Sequence, residues 1–478
     1  MKNKELFIKN FGPIKEAKLN LSSLTIFIGP NSSGKSFSAA LIHSFLNSFN
    51  ELGFSHYELI RKKSVNLFLE NDDGLFNEFK TSLIKYVNSK PKLSDEPFKF
   101  QSDKFNIILK DSFGQVFRDL IEEKLKSTFS NNLNKLNRLK KHSFELSFNK
   151  NTFINEDGAL FLNNFYVGMD FVKDEGLSDG DSNICFFEID ENFLSIYLNY
   201  VLWDNFFDGK KELFVEIIFM MIVSSVMDTF NQTSYYIPAA GDEIFKDINT
   251  FISNDINGTL EHSLLQKELL VNFLKVKEDT DQSPFYQLTE QLEQEIIGGN
   301  IKLKKGDIND EYVFIDEKND LELELNLTSS SIRELMPLII YLKYFLKKDD
   351  TLIIEEPENH IHPKNQLILV KYLVKAINGG LNIIITTHSD FIVEQFNNFI
   401  RLGHSKDEVF DKLGYDKDNI LDYHDVSIYN FKNEDSYNYV AYSVDINETG
   451  FDENSFYEVH SGLYDESVDI IEGEEEND

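Results

Sequence analysis

Residues Gly29-Pro30-Asn31-Ser32-Ser33-Gly34-Lys35-Ser36 have the types and spacing of a phosphate cradle. They match G-x-x-x-x-G-K-[ST], the P-loop. Such a loop turns backbone N–H groups and a helix N-terminus toward an anion. Lys35 adds a mobile positive charge for the β- and γ-phosphates, and Ser36 offers a hydroxyl to Mg²⁺. More than three hundred residues downstream, Thr351-Leu352-Ile353-Ile354-Glu355-Glu356-Pro357-Glu358 is an apolar run ending in carboxylates. Beside a P-loop, the first acid suits Mg²⁺, directly or through water, and the next can polarise an attacking water. Glu355 is therefore expected at the metal and Glu356 as the general base. A third run, Leu381 to Asp390, carries Thr386-Thr387-His388-Ser389 at its end, and His388 is expected to reach the γ-phosphate. The chemistry these groups would perform together is attack of water on the γ-phosphate of a Mg²⁺-bound nucleotide.

The elements that must position these groups are legible as short apolar runs. Leu24 to Ile28 reads as a buried strand entering the P-loop, and Ser36 to Ile42 as the helix leaving it. Tyr235-Tyr236-Ile237-Pro238-Ala239-Ala240 reads as a buried strand ended by proline. Leu260 to Lys277 and Gln287 to Ile297 have helical periodicity, the second stopped by Gly298-Gly299. Three short strands follow, Ile301–Lys305, Tyr312–Asp316 and Leu321–Leu327, separated by turn residues. Thr328-Ser329-Ser330-Ser331 then precedes the apolar helix Leu335 to Leu346, an N-cap arrangement. Between 51 and 230 no nucleotide motif occurs. Asp73 to Lys150 is charged and helix-like, Asn163 to Asn199 is richer in strand, and Phe214 to Met227 reads as a buried helix. The nucleotide residues are thus split by a long insertion, unlike a compact Ras-like or adenylate-kinase-like arrangement.

Composition narrows the class. The chain has 478 residues, 41% of them hydrophobic, enough for a large core and two or three domains. Cys185 is the single cysteine, which excludes an intramolecular disulfide and fits a reducing cytosol. The longest apolar run, Ile217 to Val223, falls far short of the ~20 residues of a spanning helix, and Met1 to Phe7 lacks a signal-peptide core. A cytoplasmic protein without a membrane partner is expected. The formal net charge of −34, from 81 acidic and 47 basic residues, repels nucleic acid on average. Arg61-Lys62-Lys63 and Lys135 to His142 are the clearest cationic stretches; a solvated helix face is the simpler reading, a DNA contact the other.

In the order of its motifs the chain resembles the ABC-type ATPase heads of the SMC, RecF and OLD (overcoming lysogenization defect) group. Phe7 to Ile14, followed by Ile28 to Ser36, looks like their first strands and P-loop. Glu355-Glu356-Pro357-Glu358-Asn359-His360-Ile361-His362-Pro363 is similar to the E-E-P-E-x-H-L-H-P run of OLD-like ATPases. Ser329 to Leu338 looks like their S-S-G signature helix, with Ser331 in place of glycine. Thr386 to Ser389 looks like their switch-histidine segment. Ile237-Pro238-Ala239 resembles a P-A-x-R element, although Gly241 follows Ala240 and no arginine is present. The resemblance covers roughly residues 1–50 and 230–400, and transporter cassettes do not share these features.

The resemblance implies an α/β fold, an ABC-type P-loop ATPase head with a long, mostly helical insertion. Its expected parts are 1–50 (the P-loop half), 51–230 (a helical or mixed arm or lid), 231–400 (the second half), 401–464 (a C-terminal extension) and 465–478 (an acidic disordered tail). It also implies a homo-oligomer, at least a dimer, in which Ser329, Ser330 and Ser331 face the γ-phosphate on a partner's P-loop. OLD proteins carry a TOPRIM nuclease after the head. Here Ile470 to Gly473 only mimics the start of a TOPRIM strand, so no nuclease activity is expected in this chain. Stand-alone ATPases of prokaryotic antiphage operons are most similar, the PARIS ATPase subunit first and the Septu ATPase next. That implies a separate nuclease effector, with the TOPRIM type a candidate, and a phage protein as trigger. The alternative is a DNA-repair or chromosome-maintenance ATPase of RecF or SMC type acting directly on DNA. The acidic charge, and the lack of sustained heptads in 51–230, lean against it.

Overall fold

The structure is a computed structural model. It describes residues 4–47, 74–89, 98–101, 104–105, 124, 127–129, 145–148, 153–154, 165–169, 185–189, 193–198, 233–239, 263–277, 280–304, 311–316, 318–435, 438–452 and 454–475. The stretches Arg61–Lys63, Lys135–His142 and Phe214–Met227, and the pair Ala240-Gly241, lie outside the described residues. The chain forms two compact units: Met1–His43 with Ser127–Lys141 and Ser234–Asp478, and Ser44–Lys126 with His142–Thr233.

In the first unit, strands β1 (Lys4–Phe11) and β2 (Ile14–Leu21) form an antiparallel hairpin, paired from Lys4↔Leu21 to Phe11↔Ile14. Strand β3 (Leu24–Ile28) leads to helix α1 (Lys35–Leu46). The chain returns with strand β4 (Ser234–Ile237) and helices α2 (Leu264–Lys275) and α3 (Tyr286–Ile296). A small antiparallel sheet follows, of β5 (Asn300–Lys304), β6 (Glu311–Asp316) and β7 (Leu321–Glu324). Helix α4 (Ser330–Ile340) continues into a π-helical segment, Tyr341–Phe345. Then come β8 (Thr351–Glu355), α5 (Pro363–Asn378), β9 (Asn382–Thr386) and α6 (Asp390–Leu402). Helix α7 (Asp407–Leu413), the strands β10 (Val426–Asp435) and β11 (Asn438–Ser443), and helix α8 (Asn454–Glu475) complete the unit.

The main sheet of this unit runs β4-β8-β9-β3-β10-β11-β2-β1. Strands β4, β8, β9, β3 and β10 are mutually parallel, and β11 is parallel to β2; the turns β10/β11 and β1/β2 are antiparallel. Parallel strands need crossovers and are covered on both faces, so they read as continuous apolar runs rather than alternating ones. Every residue of β3 and β9 is buried, as are Thr351 to Ile354 of β8. Isoleucines of these three strands join α4, α5 and α6 in one core through Met336, Leu373 and Phe396. The register pairs Glu355 with Thr386 and Thr386 with Phe27, so the C-terminal ends of β8, β9 and β3 lie level along one edge. In open α/β sheets that edge is where ligands bind.

Several expectations are corrected. The span 401–464, expected as an extension, supplies a strand of the main sheet: β10 lies directly beside β3, pairing Ile428 with Ile26 and Asn430 with Ile28. Nothing local in that span marks it, because membership of a sheet is decided by a distant partner. The tail from 465 is helical to Glu475, within α8, and Ile470 to Gly473 lie in that helix rather than in a strand. Helical hydrogen bonds close between near neighbours, so a Glu-rich segment can form them without a partner surface. Leu321–Leu327 is a strand only to Glu324 and then a turn of 3₁₀-helix.

Most of the insertion 51–230, expected to be largely helical, lies outside the described residues. In the second unit, helix Leu75–Ser89 accompanies a four-stranded antiparallel sheet in the order Phe98–Gln101, Phe193–Leu198, Cys185–Ile189, Phe165–Met169. Fully buried Phe79 centres a ring cluster, with Phe98, Phe100 and Phe105 at 5.9, 5.2 and 5.6 Å. Among the described residues no helix is long and apolar enough to cross a membrane.

Candidate functional site

The P-loop is built from backbone positions that most side chains would forbid. Gly29 has φ +135°, and a Cβ there would lie 2.6 Å from the Phe431 carbonyl oxygen. Gly34 has φ +107°, and its Cβ would lie 2.6 Å from Ile14 Cγ1. Ser32 between them is left-handed, at φ +61°. Alternating hand turns successive N–H groups inward, which is the geometry of an anion nest. Lys35 and Ser36 then open α1, whose N-terminus points its free donors at the same space.

Lys35 is buried, and its ammonium donates to the carbonyls of Gly29 at 2.8 Å and Pro30 at 2.9 Å. Its third partner is His388 Nε2 at 3.0 Å. Because the ammonium can only donate, His388 Nε2 accepts, which puts the neutral ring's proton on Nδ1. Burial lowers the Lys35 pKa to about 8, against the raising influence of Glu356, Glu358 and Glu355. Burial, then the Lys35 charge, lowers the His388 pKa, with Glu356 opposing. Both influences favour the neutral ring, which adds no charge beside a phosphate; to donate to a phosphate oxygen, Nε2 must carry the proton itself, in the other tautomer, once the Lys35 ammonium leaves it.

The acidic residues separate into three jobs. Glu355, at the end of β8, has both oxygens taken by β4 and the loop after it: Oε1 accepts from the Tyr236 hydroxyl at 2.7 Å and Oε2 from the Ala239 N–H at 3.0 Å. Burial and the Glu355 carboxylate push the Tyr236 phenol well up, so it stays a donor. Glu356 is left-handed at φ +47°, held there by its N–H on the Thr386 carbonyl at 2.8 Å and by Asn359, whose amide donates to Oε2 at 3.1 Å. A left-handed residue of this type is uncommon and concentrates at functional sites. Here it turns the carboxylate toward His388 Nε2, 3.7 Å away. Glu358 faces the backbone of the histidine segment: Oε1 accepts from the His388 N–H at 2.6 Å and Oε2 from the Thr387 hydroxyl at 2.9 Å.

The structure thus brings Lys35, Glu356 and His388 together at the ends of β3, β8 and β9, with Glu355 at the end of β8. Ser36 is exposed at the start of α1. The serines 329–331 stand apart. Ser329 caps α4, accepting from the Ile332 N–H at 3.4 Å, and its hydroxyl lies 3.0 Å from that of Ser331. Arg333 fastens the same turn by donating to the Thr328 carbonyl. Among the described residues no hydrogen bond joins these serines to the P-loop, Glu356 or His388. Sequence reasoning missed two participants. Tyr236 stood inside a strand read only for its apolarity, and Glu358 stood inside a quoted motif without a role.

A nucleotide with Mg²⁺ fits this donor set. The Ser33 hydroxyl is buried in the P-loop with no hydrogen-bond partner of its own. Lys35 lies on loop carbonyls that a phosphate oxygen can replace. Among the described residues no group of three or more His, Cys, Asp or Glu could hold a metal. Mg²⁺ asks for less: one or two protein oxygens, phosphate oxygens and water suffice. Ser36 and Glu355 are the residues that would supply them.

The chain belongs to the AAA ATPase domain family, which matches residues 1–393. It is an α/β P-loop protein of ATPase type. No curated protein matches it. Among solved structures it is similar to the SMC head domain from Thermotoga maritima, at 12% identity and TM-score 0.31, covering 93% of this chain and 100% of that one. It is also similar to an Smc head domain with an extended coiled coil, bound to the C-terminal domain of ScpA, from Pyrococcus furiosus. That match has 11% identity and TM-score 0.36, over 92% of this chain and 96% of that one. A third is an SmcHead bound to the C-winged helix domain of ScpA, at 12% identity and TM-score 0.35, over 92% and 97%.

Proposed function

We propose that this chain binds ATP with Mg²⁺ in the P-loop and hydrolyses it, with Glu356 as general base and His388 as the γ-phosphate contact. The observation that carries this reading is the convergence of Lys35 and Glu356 on one ring: His388 Nε2 lies 3.0 Å from the first and 3.7 Å from the second. ATP would take over the ammonium of Lys35 from the loop carbonyls and release His388 toward the γ-phosphate. Mg²⁺, held through Ser36 and Glu355, would neutralise phosphate charge. Glu356, held by Asn359 and its left-handed backbone, would accept a proton from the attacking water.

Ser329, Ser330 and Ser331 have no partner role in this site, so in this reading they serve the γ-phosphate of a second copy. ATP then joins two heads, and hydrolysis parts them. The acidic motif run supports an antiphage sensor of the OLD-like kind that controls a separate nuclease, triggered by a phage protein. The alternative is a DNA-repair or chromosome-maintenance role of RecF or SMC type, since the order of the motifs resembles those heads as well. Co-purification from the native operon separates the two: a small metal-dependent nuclease favours the first, recombination or replication proteins the second.

Glu356→Gln tests the chemistry. Removing a general base costs about 100-fold or more in rate. ATP should bind the variant with wild-type affinity while turnover falls by that factor. Turnover equal to wild type would remove Glu356 from the role of base.

A further inference from the structure

We propose that Glu358 is a positioning residue for His388. This role rests on the ATP-hydrolysis reading above. Glu358 is the third carboxylate of the acidic run, and its two oxygens are spent on the main chain and side chain of the histidine segment. Oε1 takes the His388 N–H at 2.6 Å and Oε2 the Thr387 hydroxyl at 2.9 Å. Hydrogen bonds to a carboxylate are shorter and stronger than neutral ones.

The rest of the segment is tied as tightly. Thr387 donates its N–H to the Phe27 carbonyl at 3.0 Å, and its oxygen accepts from the Ser389 N–H at 2.9 Å. Ser389 donates to Gln366 at 2.6 Å, and Gln366 donates to the Ile361 carbonyl at 2.9 Å. Ile361 returns to the start, giving its N–H to the Glu358 carbonyl at 3.1 Å. The circuit closes around one turn, residues 356–361. That turn sends Glu356 to the ring of His388 and Glu358 to its backbone. Without Glu358, two donors lose their acceptor at the residue whose ring must sit within hydrogen-bond reach of Lys35 and of a phosphate. Reacting groups misplaced by even an ångström lose large factors in rate.

Glutamine at 358 keeps an acceptor for the His388 N–H, and its amide can donate to the Thr387 oxygen, so the circuit survives. The test is a double-mutant cycle on ATP turnover. Glu358→Ala should lower kcat about 10-fold or more while the dissociation constant for ATP moves less than about 3-fold. Glu358→Gln should restore kcat to near wild type. In a His388→Ala background, Glu358→Ala should cost nothing further, because there is no ring left to place. If Glu358→Ala does not fold, Thr387→Val carries the cycle; it removes the donor to Oε2 and should show a smaller kcat loss that likewise disappears without His388. An undiminished kcat in Glu358→Ala, or an equal loss with and without His388, overturns the role. A wild-type chain with no ATP turnover overturns the hydrolysis reading and this role together, whereas turnover in the wild type with additive losses overturns this role alone.

Discussion

Lys35 is the residue on which pH acts most directly. Burial holds its pKa at about 8, and a bound triphosphate would raise it again by supplying opposite charge. The free protein therefore loses this proton as pH rises through 8, and the nucleotide complex keeps it. ATP affinity should fall between pH 7.5 and 9, and binding there should take up a proton. Calorimetry in buffers of different ionisation enthalpy measures that uptake directly. Lys35→Ala should lower affinity about 10- to 100-fold, the range for a charged hydrogen-bonding group, and abolish both the uptake and the pH slope. A slope unchanged in that variant would place the titrating group elsewhere.

At the scale of elements, the segment between α4 and β8 carries a buried ion pair. Lys343 and Glu293 meet at 2.6 Å with side chains 1% and 0% exposed. Lys343 also donates to the Ile301 carbonyl at 3.0 Å, while Glu293 accepts the Ile301 N–H at 2.7 Å. One strand residue of β5 thus bridges α3 and the π-helical segment. Ser283 holds the same segment, its N–H on the Lys343 carbonyl at 2.8 Å. The pair offsets a large desolvation cost rather than adding net stability, and burial leaves the Glu293 carboxyl raised despite its lysine. Breaking it leaves a buried charge alone. Lys343→Met should cost about 3–5 kcal/mol in denaturant unfolding. With Glu293 raised further, the folded variant binds more protons than the unfolded chain, so it should regain stability as pH falls toward 5. Adding Glu293→Gln keeps the Ile301 contact and should recover much of the loss at pH 7.

At the scale of the whole molecule, each copy carries a formal charge of −34, so two copies repel. The proposed pairing through nucleotide would have to overcome that repulsion. In the Glu356→Gln background with ATP, the assembled form should be more stable at about 0.15 M salt than at 0.01 M, where the screening length is about 30 Å. Ser329→Trp should remove the assembled form at either salt while leaving the melting temperature within about 2 °C, because the serine is exposed and its cap bond is long. Light scattering after size exclusion reads both outcomes. A Ser329→Trp protein that still assembles with ATP would detach the signature helix from the pairing surface.

What the sequence determined by itself is what depends on consecutive residues. A phosphate cradle needs glycine at Gly29 and Gly34 and a lysine next in line, and those demands are met within eight positions. Doubly buried parallel strands need unbroken apolar runs, so β3, β8 and β9 were legible, with Glu355, Glu356 and His388 at their ends. The tertiary structure alone decided what depends on distance through space. It put β10 beside the P-loop strand, tied Glu355 to Tyr236, and aimed Glu358 at the backbone of His388. No spacing encodes such contacts, because sheet order and a carboxylate's choice between neighbouring donors are settled only when segments far apart in the chain pack together.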